Sequence, residues 1–226
     1  MQEPSYVATL NGELLSRANL FKWIREFIRV NSLQNSGYYM EFGILNGEGM
    51  IQAYRVLRGI LNHFFGFDSF SGLPVLSNED KNGKKLMPIF FEGNFCGGEK
   101  EDVEKNIIKC TGISCSQLTL IDGVFNESLK NFDKKKMLQD KGKLLVCYVD
   151  CDLYSSSKDV FNFIESLVTT GTWLILDDYW LYRGHPQYGQ RKAFEEWINN
   201  SEKLGYSDYG NYNGYGKAFL LYEKDI

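Results

Sequence analysis

Two uninterrupted apolar runs, each ending in aspartate, most constrain how this chain can fold. The first, KLLVCYVD, covers residues 143–150, and the second, TWLILDD, covers residues 172–178. Strands that are apolar along their whole length are typical of parallel sheets covered by helices on both faces. The stretch between them, SKDVFNFIESLV, is predicted to be the helix that a parallel crossover requires. Together these segments predict a βαβ unit.

The same alternation continues along most of the chain. Strands are predicted at 38–44, 64–68 and 117–122, and helices at 13–31, 47–64, 101–110 and 191–200. Asn213-Gly214 lies between strand-like runs, which indicates a hairpin. We therefore expect an α/β protein with a doubly wound, mostly parallel sheet and an antiparallel end.

Length and composition limit the remaining possibilities. A chain of 226 residues with no linker is expected to form a single domain, 1–226, in which 1–37 forms a helical cap. Segment 69–100, rich in Gly, Asn and Lys, is expected to be a lid or substrate-binding insertion. The net charge of −4 argues against nucleic-acid binding. Five cysteines without a CxxC pair, no signal peptide and no membrane span predict a cytoplasmic protein.

A glycine-rich turn follows the first predicted strand in EFGILNGEG, residues 41–49. Gly43, Gly47 and Gly49 would let backbone approach a ligand closely, but their spacing is not that of the dinucleotide fingerprint. Glu41, two residues before the first glycine, suits a ligand that carries positive charge. S-adenosylmethionine (SAM), with its ammonium and sulfonium groups, fits better than a pyrophosphate. The alternative is a turn with no ligand.

Two further predicted strands end in an acid. Asp68 lies 19 residues after Gly49, close to the interval of about 20 residues at which an acid reaches a nucleoside ribose. Its alternative use is as a helix or turn cap. Asp122-Gly123 would lie beside the base, with Phe125 available for packing, although Asp-Gly is also a common turn pair.

The acids that end the two opening runs are Asp150, Asp177 and Asp178. Neighbouring strand ends in a parallel sheet lie about 5 Å apart, so these side chains can converge. Converging carboxylates repel one another unless they are protonated, solvated or bound to a cation, and oxygen ligands favour Mg²⁺, Ca²⁺ or Mn²⁺. We expect a metal site there, with some acids alternatively acting as strand-end caps. Asp152 is expected to stand outside it, because side chains alternate along a strand.

With these features in place, the chain resembles the macrocin O-methyltransferase family (TylF/MycF-like), SAM-dependent enzymes that methylate sugar hydroxyls. The resemblance covers residues 39–197 and rests on MEFGILNGEG, FGFDSFSGLP, GNF, LIDGVFNESL, YVDCDLYSS, LILDDYW and GQRKAFEEW. It implies a Rossmann-like class I methyltransferase fold with a seven-stranded sheet, SAM as methyl donor, and Mg²⁺ or another hard divalent cation. One departure is Val124, where the family usually has a large aromatic residue.

The resemblance also implies residue roles. Metal ligands would be Asp150, Asp177 and Asp178, and Asp150 would also be a candidate base, in competition with a metal-bound water or His185. Cofactor contacts would come from the following residues: Glu41, Gly43, Gly47, Asp68, Ser69, Asp122 and Gly123.

The expected substrate is a hydroxyl of a small-molecule or carrier-linked sugar, and a homo-oligomer is possible. Two other functions stay open at this point. One is methylation of a catechol-like diol, and the other is non-catalytic nucleoside binding.

Overall fold

A seven-stranded mixed sheet forms the centre of the protein. The computed structural model describes residues 16–224, so the first part of the predicted 1–37 cap lies outside the described residues. The sheet order is β3-β2-β1-β4-β5-β7-β6, and all strands except β7 run parallel to one another. The strands are β1 Gly37–Phe42, β2 His63–Asp68, β3 Leu118–Asp122, β4 Lys143–Val149, β5 Thr172–Leu176, β6 Leu204–Tyr212 and β7 Gly216–Glu223. This confirms the predicted fold class, including the antiparallel C-terminal hairpin.

Helices cover both faces of the sheet and connect its parallel strands. They are α1 Arg17–Val30, α2 Glu48–Leu57, α3 Asn78–Gly83, α4 Lys100–Thr111, α5 Phe125–Asn131, α6 Lys134–Leu138, α7 Tyr154–Ile164 and α8 Gly189–Asn200, with a 3₁₀ turn at Tyr182–Gly184. No helix among residues 16–224 is long and apolar enough to cross a membrane.

The sequence pattern explains the buried strands. Every residue of β1 and β5 is buried, and so is every residue of β4 after Lys143. Their side chains divide between two apolar clusters, one on each face of the sheet. On one face, α1 contributes Leu20, Phe21, Ile24 and Ile28, which are completely buried. The helix is therefore fixed along its apolar stripe.

One helix boundary and several short helices differ from the sequence prediction. The helix expected to run from 47 to 64 ends at Leu57, because Arg58 leaves the helical region with ψ 138° and Gly59 has φ 72°. The residues that follow turn the chain into β2. The short helix α6 was not predicted, since its residues Lys134–Leu138 include none that is buried.

The segment 69–100 lies against α7 and contains the helix α3. Ser77 and Asp80 form a capping box at the start of α3. The buried Asp80 also accepts hydrogen bonds from the hydroxyl and backbone N–H of Ser155, at 2.6 and 3.3 Å. Further along, Leu73 exchanges backbone hydrogen bonds with Gly93 and Asn94. The two ends of the segment are thus hydrogen-bonded to each other, and α3 is attached to the start of α7, next to the end of β4.

Candidate active site

A cavity of about 280 Å³ opens at the edge of the sheet where the parallel strands end. It is lined by the turns after β1, β3 and β4, by the start of segment 69–100 and by Arg17 of α1. Ligands of doubly wound proteins bind at this edge, where the strand order reverses. The sheet order places that reversal between β1 and β4.

The glycine turn after β1 forms one wall of the cavity. Gly43 has φ 84°, and a Cβ there would lie 1.7 Å from the carbonyl oxygen of Asp150. Gly47 also has φ 84° and precedes the first residue of α2. These two positions need glycine because the backbone is left-handed and, at Gly43, because the turn touches the end of β4. The turn therefore lies directly against the end of β4 at Asp150.

Glu41 lies below this turn and is 1% exposed. The phenol of Tyr39 donates a 2.6 Å hydrogen bond to its Oε2 atom. Burial raises the pKa of Glu41 to about 8, even though the Tyr39 hydrogen bond and Arg17 act in the opposite direction. A carboxyl with such a pKa can bind a cationic ligand, because the positive charge would stabilise its ionised form.

Asp68 fixes the position of the glycine turn. Its Oδ2 atom accepts hydrogen bonds from the backbone N–H groups of Ile44 and Leu45, at 2.8 and 2.9 Å. Its Oδ1 atom accepts from Phe70 N–H at 2.8 Å. Ser69 lines the cavity, whereas Asp68 is not among the lining residues. Both oxygens of Asp68 thus bind backbone already and have only their remaining lone pairs for a ligand.

The end of β3 forms the far wall. Asp122 pairs with Asp68 across the sheet, so both acids lie at the same edge. The Asp122 side chain is exposed, while Gly123, Val124 and Phe125 line the cavity. An apolar surface rather than a large aromatic ring therefore occupies the Val124 position.

The three predicted metal ligands come together at the other end. Asp150, Asp177 and Asp178 each offer a carboxylate oxygen, and these atoms lie within 4.8 Å of one another. Burial, followed by the charges of Asp177 and Asp178, raises the pKa of Asp150 well above its ordinary value. The pKa of Asp178 is raised by burial, and next by Asp152 and Asp177. The cluster has oxygen donors alone, which fits a hard cation.

Neighbouring groups orient two of these acids. Tyr148 and Tyr212 donate hydrogen bonds to Oδ1 of Asp177, at 2.5 and 2.7 Å. The Oδ2 atom of the same carboxylate lies 3.7 Å from Nη2 of Arg17. The orientation of the Asp177 carboxylate is therefore fixed by two phenols on one oxygen and by Arg17 near the other.

Asp178 is held by a second set of contacts. Its Oδ2 atom accepts from the backbone N–H of Asp152 at 2.8 Å. The completely buried amide of Gln190 accepts from Asp178 N–H and donates to the carbonyl of Val149, at 2.9 and 3.0 Å. Gln190 thus joins the ends of β4 and β5. Asp152 supports Asp178 through its backbone N–H and is itself one of the residues that line the cavity.

His185 does not reach the cavity. Its ring is exposed, and Nδ1 accepts a hydrogen bond from Gln187 N–H at 3.2 Å. Sequence reasoning missed four residues that surround the acids: Arg17, Tyr148, Gln190 and Tyr212. Gln190 and Tyr148 had a signal, since the matching stretches GQRKAFEEW and YVDCDLYSS include them.

Comparisons with known proteins agree with this architecture. The model of the family described as macrocin-O-methyltransferase (TylF) matches residues 4–202. Among solved structures, the O-methyltransferase NovP is 20% identical with a TM-score of 0.69, and the alignment covers 90% of this chain and 78% of that one. The calicheamicin methyltransferase CalS11 is 17% identical with a TM-score of 0.66, covering 94% and 82%.

A further structure of CalS11, described as a TDP-rhamnose 3′-O-methyltransferase, has 16% identity and a TM-score of 0.58, with coverage of 94% and 83%. No curated protein sequence matches. The family match spans most of the 226 residues and ends before β6. The chain therefore belongs to the macrocin O-methyltransferase (TylF) family and is a SAM-dependent O-methyltransferase.

Proposed function

We propose that this enzyme transfers the methyl group of SAM to a hydroxyl of a sugar and uses a divalent cation held by Asp150, Asp177 and Asp178. One observation carries the proposal: a single cavity is lined both by the glycine turn, at Gly43 and Gly49, and by Asp150 of the carboxylate cluster. Methyl donor and acceptor hydroxyl would meet between these two ends. Holding them in line supplies much of the rate acceleration in group transfer.

The cofactor would occupy the end of the cavity formed by β1, β2 and β3. Glu41 and the turn at Gly43 and Gly47 would bind the amino-acid part of SAM. The ribose would lie next to Asp68 and Ser69, and the base next to Asp122 and Gly123. This assignment is supported by the shared sheet edge and by the cavity lining, which includes Ser69 and Gly123.

The aspartate cluster would hold the cation, preferentially Mg²⁺. A divalent cation, when bound, supplies positive charge that stabilises a hydroxyl as it loses its proton. The phenols on Oδ1 of Asp177 and the amide on the backbone of Asp178 would keep the ligands oriented. Asp150, which lines the cavity, is the candidate base that accepts the hydroxyl proton.

The acceptor would enter beneath segment 69–100, which we propose acts as a lid. Leu73 and Phe95 from this segment line the cavity. Apolar side chains suit the faces of a sugar ring, and the polar cluster below suits its hydroxyls. The described activity of CalS11 on TDP-rhamnose supports a sugar linked to a carrier such as a nucleotide.

The substrate class can be tested by mass spectrometry of products. Purified enzyme is incubated with SAM, Mg²⁺ and a panel of nucleotide-linked sugars, lipid-linked sugars and catechols. We expect a gain of one methyl group on a sugar acceptor. Methylation confined to the catechols would refute the sugar assignment, although the cofactor assignment would stand.

The cation is tested separately by titrating Mg²⁺ and Mn²⁺ into the enzyme in a calorimeter. The wild type is expected to bind one cation, and replacing Asp178 by Asn should weaken binding by at least tenfold. Asp102→Ala is the matched control, because Asp102 is an exposed acid on α4 paired with Lys105. Full methyl transfer in EDTA, together with no measurable cation binding, would contradict the metal site.

A further inference from the structure

Arg17 is placed at the cavity by contacts from two distant parts of the chain. It is the first residue of α1, and its backbone N–H donates to Oδ1 of Asn213 at 3.3 Å. Its guanidinium lies 5.2 Å from the centre of the Tyr148 ring. The side chain is 18% exposed and lines the cavity. Both its backbone and its side chain are therefore held where the cavity lies.

The surroundings of Arg17 are strongly acidic. Among the described residues that line the cavity, it is the one cationic side chain, and the acids there are Glu41, Glu48, Asp150 and Asp152. An anionic group of a ligand would be repelled from most of this cavity. Arg17 is the place where such a group would be stabilised.

The guanidinium has unused hydrogen-bonding capacity. Its Nε atom is buried and has no hydrogen-bond partner among residues 16–224. Its nearest acid, Asp177, is 3.7 Å from Nη2, which is longer than a hydrogen bond. A buried donor without a partner is costly, so such a group in a native protein calls for a ligand or water.

Gly49 shows which end of the cavity Arg17 faces. A Cβ built on Gly49 would lie 3.3 Å from Nη1 of Arg17 and 2.2 Å from Oε1 of Glu41. The acid and the base thus flank the same first turn of α2, next to the glycine turn. An α-amino acid presents an ammonium and a carboxylate on one carbon atom, and this pair of side chains matches both charges.

We propose that Arg17 binds the α-carboxylate of the methionine part of SAM, while Glu41 faces its ammonium group. The proposal rests on the proposed function. A guanidinium binds a carboxylate through two parallel hydrogen bonds, which gives orientation as well as affinity. Arg17 thereby determines that the cavity accepts a cofactor with an intact amino-acid end.

The test compares three ligands by titration calorimetry. S-adenosylhomocysteine (SAH) has the complete amino-acid end, its decarboxylated analogue keeps the amine alone, and 5′-methylthioadenosine lacks both groups. The wild type is expected to bind SAH about 10- to 100-fold more tightly than the decarboxylated analogue, as a hydrogen bond to a charged group implies. In Arg17→Gln, SAH should lose that advantage, while 5′-methylthioadenosine binds as before.

Arg25→Gln is the matched control on the same helix. Arg25 donates to the carbonyl of Val56 and does not line the cavity, so this variant should keep the wild-type affinities for all three ligands. Arg17→Lys, which keeps the charge but not the planar fork, should retain part of the discrimination.

Three results would overturn the assignment. Equal weakening of all three ligands in Arg17→Gln would make Arg17 a structural ion-pair partner of Asp177. Equal affinity of the wild type for SAH and its decarboxylated analogue would also overturn the assignment. This comparison needs no variant, so it remains decisive even if Arg17→Gln fails to fold. No binding of SAH to the wild type would overturn the proposed cofactor site itself, and the role of Arg17 with it.

Discussion

The burial of Glu41 predicts an unusual pH dependence of stability. A carboxyl has a pKa of about 4.3 in an unfolded chain, and that of Glu41 in the folded enzyme is about 8. Between these values the folded state binds more protons than the unfolded state. The free energy of unfolding must therefore fall as pH rises from about 4 to 8, and the contribution of Glu41 is constant above that range.

The size of the effect follows from the shift. Each pKa unit corresponds to 1.36 kcal/mol, so Glu41 costs on the order of 5 kcal/mol of stability at pH 8 relative to pH 4. For a protein of this length, 1 kcal/mol changes Tm by about 2–4 °C. Replacing Glu41 by Gln removes the titration but keeps an oxygen for the Tyr39 phenol. Glu41→Gln should therefore be more stable than the wild type at pH 8, by about 10 °C or more.

The assay is thermal unfolding of the ligand-free enzyme, in EDTA, from pH 5 to 8. The difference in Tm between Glu41→Gln and the wild type should widen steadily with pH. Glu48→Gln is the control, since Glu48 lines the same cavity but is exposed. Asp150 and Asp178 also have raised pKa values, but they titrate in all three proteins. A Tm difference that does not change with pH would falsify the reasoning.

Three other predictions concern the groups around the acids. Tyr212→Phe should weaken Mn²⁺ binding about 10- to 100-fold, because it removes a hydrogen bond that orients a metal-binding carboxylate. Calorimetric titration measures this, and Tyr222→Phe, at an exposed position of β7, is the control that should have no effect. Gln190→Met leaves the buried N–H of Asp178 without a partner, whereas the carbonyl of Val149 keeps the hydrogen bond from Asp177 N–H. The free energy of unfolding in urea should fall by about 1–3 kcal/mol; an unchanged midpoint would show that the amide does not stabilise the junction of β4 and β5. Asp80→Ala should speed proteolytic cleavage within 69–100, because it detaches this segment from Ser155. The global Tm should fall by no more than a few degrees. Cleavage at the wild-type rate would contradict the attachment.

The sheet could be predicted because its signals are local. The apolar runs of β4 and β5, their terminal acids and the Asn213-Gly214 turn are each readable within ten residues. The convergence of Asp150 with Asp177 and Asp178 followed from one topological rule, the adjacency of parallel strand ends.

What could not be predicted depends on long-range placement. Tyr212 meets Asp177 across 35 positions of sequence and Arg17 meets Asn213 across 196, and no periodicity reports such contacts. Tyr148 begins the matching stretch YVDCDLYSS, but nothing in that stretch reveals its hydrogen bond to Asp177, 29 positions further along the chain. Asp68 was predicted from its interval to Gly49, but that interval does not reveal that backbone N–H groups already bind both of its oxygens.

The contact of Arg17 and Tyr212 with one carboxylate has a consequence for biosynthesis. Ribosomes make β6 only after β5, so a partly made chain contains Asp177 and its earlier partner Tyr148 before the second phenol partner, Tyr212, has been made. The acids can fold into the sheet edge earlier, but their surroundings are finished only when β6 pairs with β7 and reaches back to α1. A translation product released after α8 would contain all three aspartates and still lack Tyr212. Chains truncated in this way are thus expected to be inactive because Tyr212 is missing, even though every acid of the cluster is present.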